Sequence, residues 1–270
     1  MYDAPAHRRV NDILLGPLER PALQWLAAHA PAWVTPDMLT GTGLFASVLI
    51  FFSYIATNLD KGFLWLASLG FVLQWLGDSL DGTLARYRKI ERPRYGFFVD
   101  HIVDAISECL IFFGFGLSPY VRFDLALIAL IGYMLMANLI FINTYVNGVF
   151  RLSYSKLGPT EVRVIAILAN TIVFFLGNPV LSLPFGLGQF SFYNLVVIVA
   201  SVVLFTVFLV VSVSQAMELN RQDQHALWRV KQPKTRKKGL FARVRLSRSR
   251  PAAQRRERRS EQAERGLPAD

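Results

Sequence analysis

Apolar residues run along this chain in six blocks, at positions 38–57, 62–82, 97–121, 125–149, 162–183 and 190–216, separated by short polar connections. Each block is long enough for an α-helix to cross a bilayer. The pattern therefore predicts six spans. The fifth is the least continuous, because Asn170, Gly177, Asn178 and Pro179 interrupt it. Before the first block, Val10 to Trp33 mixes Ile13, Leu14, Leu18, Leu23, Trp25 and Leu26 with Glu19, Arg20 and His29. That mixture reads as an amphipathic helix lying in the membrane interface, broken near Gly16-Pro17. It lacks a continuous apolar core with a small-residue cleavage site, so it is not a signal peptide. The expected fold is an all-α integral membrane protein: a juxtamembrane segment over 1–34, a six-transmembrane-helix bundle over 35–220 and a basic cytoplasmic tail over 221–270.

Composition agrees with the membrane class: 270 residues, 53% hydrophobic, 21 of them Phe, with a mean hydropathy of +0.36. The formal charge of +10 misleads, because residues 229–265 hold 15 of the 29 Lys and Arg and 3 of the 19 acids. The basic character belongs to the tail. Few aromatics accompany it, so it should be largely disordered when free and suited to anionic lipid headgroups at about 1 kcal/mol per basic residue. Nucleic acid is the poorer fit. Short-loop charge sets orientation: Arg86, Arg88, Lys89, Arg92 and Arg94 lie between the second and third spans, Arg151 and Lys156 between the fourth and fifth, against Lys61 and Arg122 on the other side. The second-to-third loop and both termini are thus expected in the cytoplasm, with a bacterial inner membrane as the setting. Cys109 stands alone, which excludes an intrachain disulfide. No Gly-rich phosphate loop, Ser-His-Asp pattern or Cys/His zinc spacing occurs.

The polar residues that break the apolar pattern are four aspartates. They lie in Asp78-Ser-Leu-Asp81-Gly82-Thr-Leu-Ala85-Arg86 and, nine residues on, Gly96-Phe-Phe-Val-Asp100-His-Ile-Val-Asp104. A charge at the bilayer centre costs about 2.5–3.5 kcal/mol on insertion scales. No Lys or Arg is interleaved at the same depth on these two helices, so bound metal is the expected counter-charge. Asp78, Asp81, Gly82 and Ala85 share one helical face, as do Gly96, Asp100 and Asp104. Packed antiparallel, the two helices would gather four carboxylates. Unmetallated, such neighbours would repel. Two divalent cations, Mg²⁺ or Mn²⁺, suit that oxygen-rich set, and space left by the small residues would admit a phosphate-bearing ligand. His101, one step from Asp100, turns away from this face.

These residues resemble the signature of the CDP-alcohol phosphatidyltransferases, Asp-x-x-Asp-Gly-x-x-Ala-Arg followed by Gly-x-x-x-Asp-x-x-x-Asp. Eight specified residues match in order. The chain departs from the family in one respect: nine residues, Tyr87 to Tyr95, separate Arg86 from Gly96, where eight are usual. Thr35-Pro-Asp37-Met-Leu-Thr40 resembles the family's Thr-Pro-Asn-x-x-Thr entry to the first span, with Asp37 in place of Asn. The resemblance implies that Asp78, Asp81, Asp100 and Asp104 hold two divalent ions and that Asp104 serves as the general base. It implies further that Gly82, Ala85, Arg86, Gly96 and Thr40 receive the nucleotide, and that the protein pairs as a homodimer. For Asp37 and Thr40 a plain helix cap fits equally well, and for Arg86 a topology charge.

The reaction implied is transfer of a phosphatidyl group from CDP-diacylglycerol to a small alcohol, with CMP leaving. The same motif serves enzymes that use CDP-choline or CDP-ethanolamine with a diacylglycerol-like acceptor. A cation-binding transporter is a third class that intramembrane acids permit, although no internal repeat supports it. Acceptor determinants are sought in Arg151, Lys156, Glu161 and Arg163. The three cations together would favour a phosphorylated alcohol, whereas Glu161 with Asn143 and Asn147 would favour serine, inositol or an amino alcohol. Positive-inside charge alone would account for the cations equally well.

Overall fold

The computed structural model describes residues 8–10, 14–147, 149–151, 158–182 and 189–231. Among them are seven helices: α1 (Gly16–His29), α2 (Pro36–Ala56), α3 (Phe63–Arg88), α4 (Pro93–Leu117), α5 (Phe123–Asn147), α6 (Pro159–Leu176) and α7 (Phe192–Lys231). Helices α2 to α7 follow the six apolar blocks in order. Five of them, α2, α3, α5, α6 and α7, are long and apolar enough to cross a membrane. The chain is therefore a helical integral membrane protein. Helix α4 matches the others in length but carries Arg94, Asp100, Asp104 and Glu108. Its acids set it apart from the apolar five.

The structure corrects the all-helical expectation in detail. Two pairs of three-residue strands occur: β1 (Arg8–Val10) lies parallel to β2 (Val149–Arg151), and β3 (Val180–Ser182) lies antiparallel to β4 (Gln189–Ser191). Gly16-Pro17 does not break the first helix but starts it, because proline has no N–H to lose in a first turn. The Gly177-Asn178-Pro179 interruption ends α6 after Leu176. The long motif connection is mostly helical too. Tyr87 and Arg88 complete α3, α4 begins at Pro93, and the turn between them is closed by Lys89 in the left-handed region at φ 57°.

Close approach of α2 to α3 sets the geometry around the acidic residues. A side chain at Gly77 would place its Cβ 2.5 Å from the Gly43 amide nitrogen and 2.6 Å from the Leu39 carbonyl. Gly114 on α4 is similarly tight against Phe51, at 3.0 Å from its Cα. Small residues at such crossings let backbones meet where lipid supplies no hydrophobic drive. Beyond the crossings, Ile50, Tyr54, Phe71, Ile111, Phe115, Val173, Tyr193 and their neighbours form the main apolar core. Asn170, expected as an interruption, is its polar hub. Its Oδ1 accepts from Tyr54 at 2.9 Å and from Tyr193 at 2.7 Å, and its Nδ2 donates to Ser68 at 3.1 Å. One amide thereby joins α2, α3, α6 and α7. Its carbonyl and its amino group are thus both satisfied by protein, as the interior of a bilayer demands.

Helix α1 lies along α3. Leu23 and Ala27 pack with Leu39, Leu80 and Leu84, while Leu14, Leu18 and Trp25 are exposed. Both ends of α1 are held. The Glu19 carboxylate accepts from the Trp75 indole at 3.1 Å and from Thr160 at 3.1 Å. At the other end, the Arg88 guanidinium donates to the carbonyls of Val34, Ala30 and Pro31 at 2.5–3.0 Å. A fork with several fixed donors suits a helix end with orphan carbonyls.

The compact unit containing these elements ends at Gln215, and a second begins at Ala216. In the second, the last turns of α7 are polar, and Glu218 accepts from Arg221 and Gln222 at 3.1 and 2.9 Å. The tail beyond Lys231 lies outside the described residues.

The α2–α3 crossing yields a direct test. Gly77→Ala forces two backbones apart and should cost roughly 1–3 kcal/mol, read as a lower unfolding temperature in detergent. Gly41→Ala, where an added Cβ within α2 meets nothing within 4 Å, should leave stability unchanged or raise it by up to about 1 kcal/mol.

Candidate active site

The antiparallel arrangement of α3 and α4 brings the two acidic faces together. Oxygens of Asp78, Asp100 and Asp104 lie within 4.8 Å of one another, close enough to share one cation. Asp81 lines the same small cavity, together with Thr40, Gly43, Gln74, Val103 and Ser107. Its own oxygens are engaged: Oδ2 accepts from Thr40 at 2.6 Å, and Oδ1 accepts from the Gly82 amide. Three carboxylates converge and the fourth borders them.

The two motif helices carry no basic side chain at this depth, but another helix brings one. Arg163, from α6, is buried and ion-paired with Asp78. Glu108, one turn beyond Asp104, hydrogen-bonds Tyr133 and faces Arg163. A buried guanidinium with one carboxylate partner is a costly arrangement unless its neighbourhood is polar. Here that neighbourhood is the acidic cluster itself.

Two further residues have no place in the sequence-based expectations. Gln74 and Ser107 are 2% and 1% exposed, and both line the cavity. Their spacing was a usable signal: Gln74 stands one turn before Asp78 and Ser107 three residues after Asp104, on the acidic faces of their helices. The set of hard oxygen donors, carboxylate, amide carbonyl and hydroxyl, fits a divalent cation of the Mg²⁺ or Mn²⁺ kind.

A family model for CDP-alcohol phosphatidyltransferases matches residues 33–208. The chain belongs to that family. It is also 32% identical over 99 residues to an archaetidylinositol phosphate synthase of Pyrococcus horikoshii, covering 37% of this chain. The chain spans about half the length, 50%, of that relative.

The other residues implied by the CDP-alcohol phosphatidyltransferase signature take varied positions. Gly96 is exposed, and a Cβ added there would meet nothing within 4 Å. Ala85 is half-buried, and Arg86 folds back over Gly82 and donates to Thr83 at 3.2 Å. Thr40 faces inward to Asp81, while Thr35 caps α2 through the Met38 amide and Asp37 pairs with Arg92. His101 packs its ring against Phe97 and Phe141, and its Nδ1 lies 3.7 Å from an oxygen of Asp100, at the edge of the carboxylate group.

Of the acceptor candidates, Glu161 and Arg163 have described side chains. Arg163 reaches the aspartates. Arg151 lies in β2, where only the backbone is described, and Lys156 falls outside the described residues. Glu161, another acceptor candidate, is engaged by two backbone amides. One of its oxygens accepts from the Gly158 amide at 2.9 Å and the other from the Leu15 amide at 2.9 Å. A single buried carboxylate thus caps the start of α6 and the start of α1. Glu161→Ala leaves two N–H groups without an acceptor and should cost roughly 1–3 kcal/mol. A lower unfolding temperature with an unchanged KM for the alcohol is the expected result, and a raised KM at full stability would return Glu161 to the acceptor.

Proposed function

We propose that this protein transfers a phosphatidyl-type group from a CDP-linked diacylglycerol or related lipid to a small alcohol, releasing CMP. The convergence of Asp78, Asp100 and Asp104 is the observation that supports it most directly. In this reading Asp78, Asp81, Asp100 and Asp104 hold two divalent cations. When bound, these would draw off charge from the pyrophosphate and stabilise the departing CMP. Asp104 accepts the proton of the attacking hydroxyl as its oxygen bonds to the lipid-side phosphorus and the bond to CMP breaks. A carboxylate beside cations is a weak base, so its contribution comes from position. Gly82, Ala85 and Gly96 leave room for the nucleotide, and Arg86 meets a phosphate oxygen.

The acceptor we favour is a phosphorylated polyol. The relative's name describes synthesis of an inositol phosphate-bearing lipid, and Arg163 brings a guanidinium to the cluster, a group suited to phosphate. Placement in the membrane follows the same proposal. Helix α4 is the sixth span of a bundle over 35–220, α1 lies in the interface on its exposed Leu14, Leu18 and Trp25, and the α3–α4 connection and basic tail face the cytoplasm. The protein would act as a homodimer.

The decisive assay follows CMP release by purified protein in Mg²⁺, with a CDP-diacylglycerol donor and a panel of inositol phosphate, glycerol 3-phosphate, inositol and serine. Asp104→Asn should lower the rate by roughly 10²–10⁴-fold, and the phosphorylated alcohols should be the better acceptors. Release of CMP from CDP-choline with diacylglycerol, and none from the CDP-lipid, would reverse donor and acceptor. An unchanged rate in Asp81→Asn would remove the metal-dependent reading.

A further inference from the structure

The floor of the acidic cavity holds two unsatisfied polar atoms. Gln74 Oε1 and Ser107 Oγ are buried without a hydrogen-bond partner, and among the described residues they are the two side-chain atoms in that condition. Both line the cavity shared by Asp78, Asp81, Asp100 and Asp104. An unmet buried acceptor costs roughly 1–3 kcal/mol, so a pair of them in one place calls for a ligand. Their position in the helices is also informative. Helix α3 runs toward the motif connection and α4 runs away from it, so Gln74 and Ser107 both lie beyond the aspartates, away from the polar connection. Charged oxygens occupy the side near the connection and neutral oxygens the side nearer the helix centres.

The free volume is about 10 Å³, near the minimum that admits one water and too small for a substrate group. A water bound to a cation turns both hydrogens outward and needs two acceptors. An amide carbonyl accepts and cannot donate, and a serine hydroxyl can do either. We propose that Gln74 and Ser107 hold a water ligand of the cation bound by Asp78, Asp100 and Asp104. The inference rests on the metal reading above and adds two residues that orient the ion's inner hydration. Mg²⁺ sheds water reluctantly, so a floor that receives a water would favour it over ions that accept full protein ligation. Gln74 and Ser107 are positioning residues, acting on the ion through that water.

The test measures Mn²⁺ binding by electron paramagnetic resonance on the full-length protein in detergent, with no CDP-lipid present. Wild type should bind. Gln74→Leu and Ser107→Ala should each bind about 10–100-fold more weakly, and Ser107→Thr, which keeps the hydroxyl, should stay near wild type. Melting in EDTA separates folding from binding: Gln74→Leu removes an unmet acceptor and should melt at or above wild type there. Variants that fold and bind Mn²⁺ like wild type would overturn the floor while leaving the acidic cluster as a metal site. Wild type that binds no Mn²⁺ would remove both. Tighter Cd²⁺ binding by Ser107→Cys would show direct ligation by residue 107 and overturn the water.

Discussion

Carboxylates inside an apolar bundle are the constraint around which this fold is arranged. Asp78, Asp81, Asp100, Asp104 and Glu108 sit on helices whose other faces meet apolar core or lipid, and an isolated charge in that setting is expensive. The bundle meets the demand locally. Thr40 and the Gly82 amide donate to Asp81, Arg163 pairs with Asp78, and Tyr133 donates to Glu108. Thr40, Tyr133 and Arg163 come from three different helices, so α2, α5 and α6 are all tied to the α3–α4 pair by polar contacts. The glycines at 43 and 77 bring α2 near enough for Thr40 to reach its aspartate.

The scaffold outside the cluster follows the same logic at lower charge. Asn170 binds four helices through one amide. Glu161 joins the starts of α1 and α6 through one carboxylate, and Arg88 closes the end of α1 with one guanidinium. In a soluble protein water could serve most of these groups. In a bilayer, side chains from neighbouring helices must do it. Helix α1 is consequently tied into the bundle at both ends. Its Glu19 and its C-terminal carbonyls grip α3 on both sides of the segment that carries Asp78 and Asp81, which fixes the depth and rotation of those two side chains.

Periodicity made the helices legible, because apolar blocks of span length admit one structure in lipid. It also made the aspartate faces legible, since three- and four-residue spacing is a local property of a helix. What the sequence could not show is which distant element meets those faces. Arg163 looked like an acceptor contact within the apolar register, and it pairs with Asp78. Glu161, in the same helix, looked like another acceptor contact, and it caps two helix starts. Asn170 looked like a flaw in a span and is a junction. In each case the residue type was noticed and its partner, more than 80 residues away for Arg163, was not. Gln74 and Ser107 gave a weaker signal: neither is charged nor clustered with helix breakers, although both continue the acidic faces.

Charge balance links these observations to the proposed chemistry. One guanidinium stands among five carboxylates, Asp78, Asp81, Asp100, Asp104 and Glu108. With all ionised, the four negative charges left equal the charge of two divalent cations. Arg163 is therefore best understood as a fixed cation that offsets the fifth acid, since without it a two-cation site would carry surplus negative charge in low dielectric. The same position lets it meet a second anion. A phosphorylated acceptor entering beside the cations would bring its own negative charge, which a guanidinium with several donors is suited to meet. A neutral alcohol would gain nothing from that arrangement. In the proposed reading, acceptor preference would follow from the α6 guanidinium that balances the cluster.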